Sequence, residues 1–126
     1  MANLGQEIIE NHSSIQARII DGITILIITG TNIIGEIPEL LEQKADEAIT
    51  NGNCNIIIDL SQAFLMDSTG LGKIIAIHVK TFRAGGCLKL SGTLNNNISN
   101  LLKITRVIDL VDHYPNYRSA LNSFKK

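Results

Sequence analysis

The sequence predicts a single α/β domain with a mixed, mostly parallel β-sheet covered by α-helices. Strand-like apolar segments alternate with segments whose apolar residues recur at helical spacing, which is typical of strand–helix–strand units. An Asp-Gly pair between the first two strand-like segments predicts a hairpin, so the sheet includes an antiparallel pair. The 126 residues suit one domain, and 44% apolar with 18% charged residues indicates a globular chain rather than a disordered one.

The predicted element order is ββαβαβαβα. The hairpin turn is Asp21-Gly22, because both positions of such a turn need positive φ. The strand that follows, ITILIIT, is apolar nearly throughout, which predicts helical cover on both faces of the sheet. Strands are predicted at 16–20, 23–29, 56–60, 87–91 and 110–113.

Four helices are predicted between and after these strands. Pro38 suits the first turn of the first helix, and Asn51-Gly52 ends it. The others cover about 71–82, 98–104 and 115–124, and the second carries one apolar stripe formed by Leu71, Ile74, Ile75, His78, Val79 and Phe82. We assign residues 1–14 to a polar N-terminal extension that can fray, and residues 15–126 to the domain.

Composition excludes several classes of function. A formal net charge of −1 provides no general attraction for nucleic acid or an anionic membrane surface. No apolar run approaches the length of a membrane span, and the N-terminus has no signal-peptide pattern, so we expect a cytoplasmic protein without membrane insertion. Cys54 and Cys87 form no CxxC pair, and the three histidines do not complete a zinc site. We expect buried, reduced thiols and neither metal nor cofactor.

Two motifs that could indicate catalysis lack essential residues. Gly30 to Gly35 has the glycine spacing of a phosphate loop, but Glu36 and Ile37 stand where lysine and a hydroxyl belong. His78 lies ten residues after Ser68, about 15 Å along a helix, which is too far for a general base. We expect His78 to be buried or partly buried, and the protein not to be an enzyme.

The segment MDSTGLG joins an apolar strand to the second helix. Asp67 or Ser68 can cap that helix by accepting hydrogen bonds from backbone N–H groups. Gly70 and Gly72 each cost a helix about 1 kcal/mol relative to alanine, so a cap alone does not explain them. The glycines serve either tight packing of the helix on the sheet or the approach of another molecule.

The stretch IIIDLSQAFLMDSTGLGKIIAIHVKTFRAGGCLKLSG resembles the core of a STAS domain, as in bacterial anti-sigma factor antagonists. An apolar strand ending in D-L-S, then M-D-S-T-G-L-G, a helix, G-G and a strand occur in the family's order. The resemblance covers about residues 15–124, and the D-S-T-G-L-G segment with its flanks is its specific part.

The resemblance implies a regulatory mechanism called partner switching. Ser68, directly after the motif's aspartate, would be phosphorylated by a partner that is both an anti-sigma factor and a serine protein kinase. Only the unphosphorylated protein would bind that partner, and a PP2C-type phosphatase would reset the cycle. We expect a monomer or weak dimer, whose partner-binding residues are Thr31, Asn32, Met66, Asp67, Thr69, Gly70, Leu71 and Gly72.

The chain departs from the family pattern in one loop. The family commonly carries an acid near the phosphorylated serine, and here Ile33 stands at that position; Pro38 also departs from the usual helix opening. This departure motivates an alternative, a STAS adaptor or scaffold subunit of a signalling or lipid-transport complex that is never phosphorylated. An enzyme or a small-ligand binder is a third alternative, since nucleotide and lipid binding occur in the wider family.

Overall fold

The computed structural model describes residues 8–11 and 14–125. Its strands, in chain order, are β1 Ile8–Asn11, β2 Ile15–Ile20, β3 Ile23–Ile28, β4 Asn32–Ile33, β5 Ile56–Asp59, β6 Leu65–Met66, β7 Leu88–Ser91 and β8 His113–Tyr114. Six of them form one sheet in the order β1-β2-β3-β5-β7-β8, and β4 pairs with β6 separately. The pairs β1–β2 and β2–β3 are antiparallel, and the pairs from β3 to β8 are parallel.

The helices are α1 Ile37–Thr50, α2 Ser68–Arg83, α3 Asn96–Ile104 and α4 Tyr117–Ser123, with a 3₁₀ turn at Val107–Asp109. One main core joins α1, α2 and α3 to one face of the sheet. On the other face, Ala120 and Leu121 of α4 pack against Ile25 and Ile57. The predicted fold class, a mixed sheet covered by helices, is therefore confirmed, and all six β3 residues are buried between the two helical layers.

Local sequence rules predicted the hairpin and the first helix correctly. Asp21 and Gly22 both have positive φ, 54° and 79°. Pro38 lies in the first turn of α1, where its missing N–H breaks no hydrogen bond, and Asn51 caps the end of the helix. These features depend only on neighbouring residues, which is why the sequence alone was sufficient.

Two boundary predictions were wrong. Residues 8–11, which we assigned to a fraying extension, form the edge strand β1 because they pair with the otherwise open edge of β2. The predicted edge strand at 110–113 lies later, at His113–Tyr114, because Val107–Asp109 forms a 3₁₀ turn first. The last helix then starts at Tyr117, since Asn116 caps it through its side chain.

The apolar stripe predicted on α2 is only partly buried. The helix buries Leu71, Ile74, Ile77 and Thr81 against the sheet. Three members of the predicted stripe face outward instead, namely Ile75, Val79 and Phe82, which are 36%, 36% and 74% exposed. The helix therefore has an apolar inner face and a second, solvent-exposed apolar face.

Candidate modification and docking site

The start of α2 is organised by the carboxylate of Asp67. This residue is the N-cap, in extended backbone conformation, and its Oδ1 accepts a hydrogen bond of 2.9 Å from the N–H of Gly70. Asp67, rather than Ser68, is thus the cap. Ser68 becomes the first residue of the helix proper and is released from a capping role.

Ser68 lies on the surface at the N-terminus of α2. Its side chain is exposed, as are those of Asp67 and Thr69. The unpaired N–H groups and the helix dipole at such a position favour an anion. The hydroxyl is therefore accessible to an enzyme, and the fold can tolerate a phosphate at this position.

A two-stranded parallel sheet joins the loop after β3 to this junction. Asn32 pairs with Leu65 and Ile33 with Met66. The carbonyl oxygen of Thr31 also accepts a hydrogen bond of 3.2 Å from the N–H of Leu65. The structure thus brings Thr31 and Asn32 beside the segment that precedes Ser68.

The eight predicted docking residues differ in their accessibility. Thr31, Asp67, Thr69 and Gly72 are exposed, and Asn32 and Met66 are half-buried. Gly70 and Leu71 are buried, which corrects their assignment to the docking surface, since a partner cannot reach them directly. Their role is to support the surface from beneath.

Gly70 has a packing role because α2 approaches β4 closely. A Cβ atom at Gly70 would lie 2.8 Å from Cγ of Met66 and 3.0 Å from the backbone oxygen of Ile33. Ile33 itself is fully buried. A carboxylate at position 33 would be a buried charge under α2, whereas the next side chain, Ile34, is 43% exposed.

Gly72 has no comparable packing role. A Cβ atom built there meets nothing within 4 Å. The sequence left two explanations open for the glycines, and each explanation fits one of them. Gly70 permits close packing, and Gly72 leaves open space on the outward side of α2.

A group of charged side chains holds α2 against α1. Glu42 accepts hydrogen bonds from Nζ of Lys73 at 2.6 Å and from Nζ of Lys80 at 2.8 Å. Lys73 also pairs with Glu39, and Lys80 with Asp46. The hydrogen bond from Lys73, followed by that from Lys80, lowers the pKa of Glu42 below its ordinary value. The pairing places Lys73 and Lys80 on the side of α2 that lies next to α1.

The acid of the D-L-S segment connects two loops near the site. The Asp59 carboxylate is 4% exposed and accepts hydrogen bonds from the Ser91 hydroxyl at 2.7 Å and from the Ser61 N–H at 3.1 Å. A buried carboxylate that is hydrogen-bonded in this way stabilises the ends of β5 and β7. The acid of the D-L-S segment therefore has a structural role.

Exposed apolar side chains surround the junction, and sequence reasoning missed them. Phe64 and Leu65, 50% and 42% exposed, line an open groove with Thr31, Asn32 and Leu94. Their sequence signal was weak, because two apolar residues in a loop are equally consistent with burial. With Ile34 they give this end of the domain an apolar character that suits protein contacts.

Residues 8–11 and 14–125 contain neither a metal-binding cluster nor a membrane-spanning helix. No three His, Cys, Asp or Glu side chains there are positioned to share a metal ion. Each helix of the same ranges falls short of the length and apolar content that a bilayer crossing requires.

Cys54 and Cys87 are free and half-buried, and burial raises the pKa of the Cys87 thiol. His78 is half-buried, as predicted.

One known protein family matches most of this chain. A family model described as the STAS domain matches residues 14–120. The chain belongs to the STAS family. The resemblance noted in the D-S-T-G-L-G segment therefore extends over most of the chain.

Three solved structures illustrate the range of proteins that share this fold. TM1081 of Thermotoga maritima, described as a candidate anti-sigma factor antagonist, is 24% identical with a TM-score of 0.77, covering 87% of this chain and 93% of its own. SpoIIAA of Bacillus, a cell fate determinant in phosphorylated form, is 14% identical with a TM-score of 0.65, covering 95% and 100%. A sulfate transporter family protein of Wolinella succinogenes is 15% identical with a TM-score of 0.64, covering 83% and 86%.

Proposed function

We propose that this protein is a non-enzymatic, cytoplasmic anti-sigma factor antagonist that acts by partner switching. Unphosphorylated, it binds an anti-sigma factor that is also a serine kinase, and phosphorylation of Ser68 releases that partner. The observation that carries this proposal is the exposed Ser68 hydroxyl on the first residue of α2, next to an N-cap that does not use it.

The surroundings of Ser68 suit a docking surface. Thr31 and Asn32 lie beside the Leu65–Met66 strand, and exposed Phe64 and Leu65 supply apolar contact area. A kinase must bring its catalytic groups to within bonding distance of the hydroxyl, and the small neighbours Thr69 and Gly72 leave room for that approach. Binding and modification would then use one surface.

The effect of phosphate follows from electrostatics. A phosphoserine carries about −1.5 to −2 charges at neutral pH. Within this chain the charge lies at a helix N-terminus, where it is tolerated. In a closed interface the same charge must be desolvated, and it lies near the Asp67 carboxylate. A loss of about 2.7 kcal/mol in binding free energy would already weaken affinity about a hundredfold.

Phosphate mapping tests the proposal. The protein is incubated with ATP and its cognate anti-sigma factor kinase, and the modified residue is mapped by mass spectrometry. We expect one phosphate on Ser68, none in Ser68→Ala, and undiminished modification in Thr69→Ala, which retains the serine. Normal phosphorylation of Ser68→Ala would remove Ser68 from this role.

A second function is favoured by the environment of Ile33. If the family's acid is needed for phosphoacceptance, its absence from this buried position suits an adaptor or scaffold that is never phosphorylated. Affinity purification of the tagged protein distinguishes the two functions. Recovery of transporter ATPase subunits without any kinase or PP2C-type phosphatase would support the adaptor and contradict partner switching.

A further inference from the structure

The exposed side of α2 carries a regular stripe. We call it the outward face; it consists of Ser68, Gly72, Ile75, Val79 and Phe82. Successive members are four, three, four and three residues apart, which places them within an arc of about 80° on a helix of 3.6 residues per turn. This is the spacing of the contact seam in a coiled coil. The stripe therefore has the form of a helix-packing surface.

We propose that the outward face binds the same face of a second copy of this chain, with the two α2 helices antiparallel and Ile75 at the centre. Such a contact is isologous, so each copy supplies the same residues. This proposal goes beyond partner switching. The dimer of unmodified protein would form whether or not the protein acts by partner switching.

The sizes of the side chains favour the antiparallel arrangement. The N-terminal half of the outward face carries the small residues Ser68 and Gly72, and the C-terminal half carries Val79 and Phe82. With Ile75 opposite Ile75, Phe82 of each copy lies opposite Ser68 of the other, and Val79 lies opposite Gly72. A parallel pair would instead place Phe82 against Phe82 and leave a gap at the small residues, which packing disfavours.

Charges beside the outward face favour the same arrangement. Helices α1 and α2 run in the same direction, since Lys73 pairs with Glu39 and Lys80 pairs with Asp46 further along. Glu36 and Glu39 are exposed beside the N-terminal half of α2, and Arg83 is exposed at its C-terminal end, on the side that faces α1. Antiparallel pairing brings each Arg83 towards the acids of the other copy.

The size of the contact indicates a weak dimer. Helix α2 has 16 residues, which corresponds to a length of about 24 Å. One pair of helices of this length buries less than the 1,200–2,000 Å² or so that is typical of stable complexes. We therefore infer a reversible dimer that forms at high protein concentration and leaves the face available to other partners.

If Ser68 is phosphorylated as proposed above, modification would also dissociate the dimer. The phosphate would face the apolar ring of Phe82 in the second copy, where it loses water. The exposed Arg83 beside that ring compensates little, because an ion pair at the surface contributes only weakly to binding. This consequence rests on the proposed function, whereas the following measurements use unmodified protein and no kinase, so the two can fail separately.

Sedimentation equilibrium from about 10 µM to about 1 mM tests the dimer, a range that suits a weak interface. We expect the mean mass of the wild type to rise towards twice that of the monomer, and Ile75→Glu to remain monomeric. Ile104→Glu changes an isoleucine on α3 that is 80% exposed and should behave as the wild type. The proposal would be overturned if the wild type stayed monomeric throughout the range. This would hold even if its outward face bound a kinase.

Cysteine cross-linking tests the direction of the helices. Under mild oxidation, Ile75→Cys should form a disulfide with itself, because the two-fold axis passes beside it. Val79→Cys should not cross-link with itself but should do so when mixed with Gly72→Cys. Peptide mapping by mass spectrometry identifies the bonded cysteines. Efficient Val79 self-linking together with Ile75 self-linking would indicate parallel helices and refute the arrangement.

Discussion

Gly70 and Gly72 lie two residues apart in α2, and their environments are opposite. Gly70 is enclosed by Met66 and Ile33, whereas Gly72 faces open space. The comparison extends along the helix, since Ile74 is fully buried and Ile75 is 36% exposed. One face of α2 is thus required by the fold, and the other is free of that requirement, which is where a function involving partners can reside.

The two isoleucines give the largest expected difference between these faces. Ile74→Ala should lower the free energy of unfolding by about 2–5 kcal/mol, because it opens a cavity in the main core. Ile75→Ala should cost less than about 1 kcal/mol, since the position is on the surface. Urea unfolding of both variants measures the difference. Equal losses would mean that the outward face is packed within the domain.

The two glycines provide the next test. Gly72→Ala should raise the free energy of unfolding by about 0.5–1 kcal/mol, because alanine is the better helix former and nothing opposes its methyl group. Gly70→Ala should not be stabilised in this way, because its methyl group meets Met66 and a backbone oxygen. Its free energy of unfolding should be about 1–3 kcal/mol lower than that of Gly72→Ala. Thermal unfolding compares the pair, and stabilisation by both would remove the packing role of Gly70.

The smallest expected effect concerns the Glu42 pairing between α1 and α2. Because the folded protein lowers the pKa of Glu42 from its ordinary value of 4.5, mainly through Lys73 and then Lys80, the stability it contributes is complete above that value. The contribution is lost as the pH falls below 4.5 and through the folded pKa.

Unfolding measured between about pH 6 and pH 3, across the range where carboxylates titrate, should show this loss. The acid-induced fall in stability should be smaller in Glu42→Gln. Glu47→Gln, which removes an exposed acid paired only at 3.7 Å with Lys44 of the same helix, should keep the wild-type pH profile. Identical profiles in all three proteins would exclude Glu42 as the source.

Sequence reasoning succeeded where the determinants are local. The Asp21-Gly22 turn, Pro38 in the first turn of α1 and the strand–helix alternation all follow from neighbouring residues and give the fold class. The orientation of α2 did not follow, since the helix is apolar on two sides. Burial of Leu71, Ile74 and Ile77 in the main core and the contact with β4 at Gly70 decide which side faces the sheet, and both are long-range.

The candidate site was predictable in part for the same reason. Ser68, Asp67 and Thr69 could be proposed because a distinctive segment carries them, and the structure shows only that all three are exposed. The pairing of β4 with β6 could not be foreseen, since each strand has only two residues and the contact joins distant parts of the chain. Exposure of Phe64 likewise depends on tertiary packing that no local pattern specifies.

The most direct test of the account compares the affinity of an anti-sigma factor kinase for two forms of this protein. One form is unmodified, and the other carries phosphoserine at position 68, incorporated during synthesis; calorimetry measures binding to each. We expect the phosphorylated form to bind at least about a hundredfold more weakly, equivalent to about 2.7 kcal/mol. Equal affinities would contradict the claim that a phosphate on Ser68 switches the binding of the kinase to the surface around that residue.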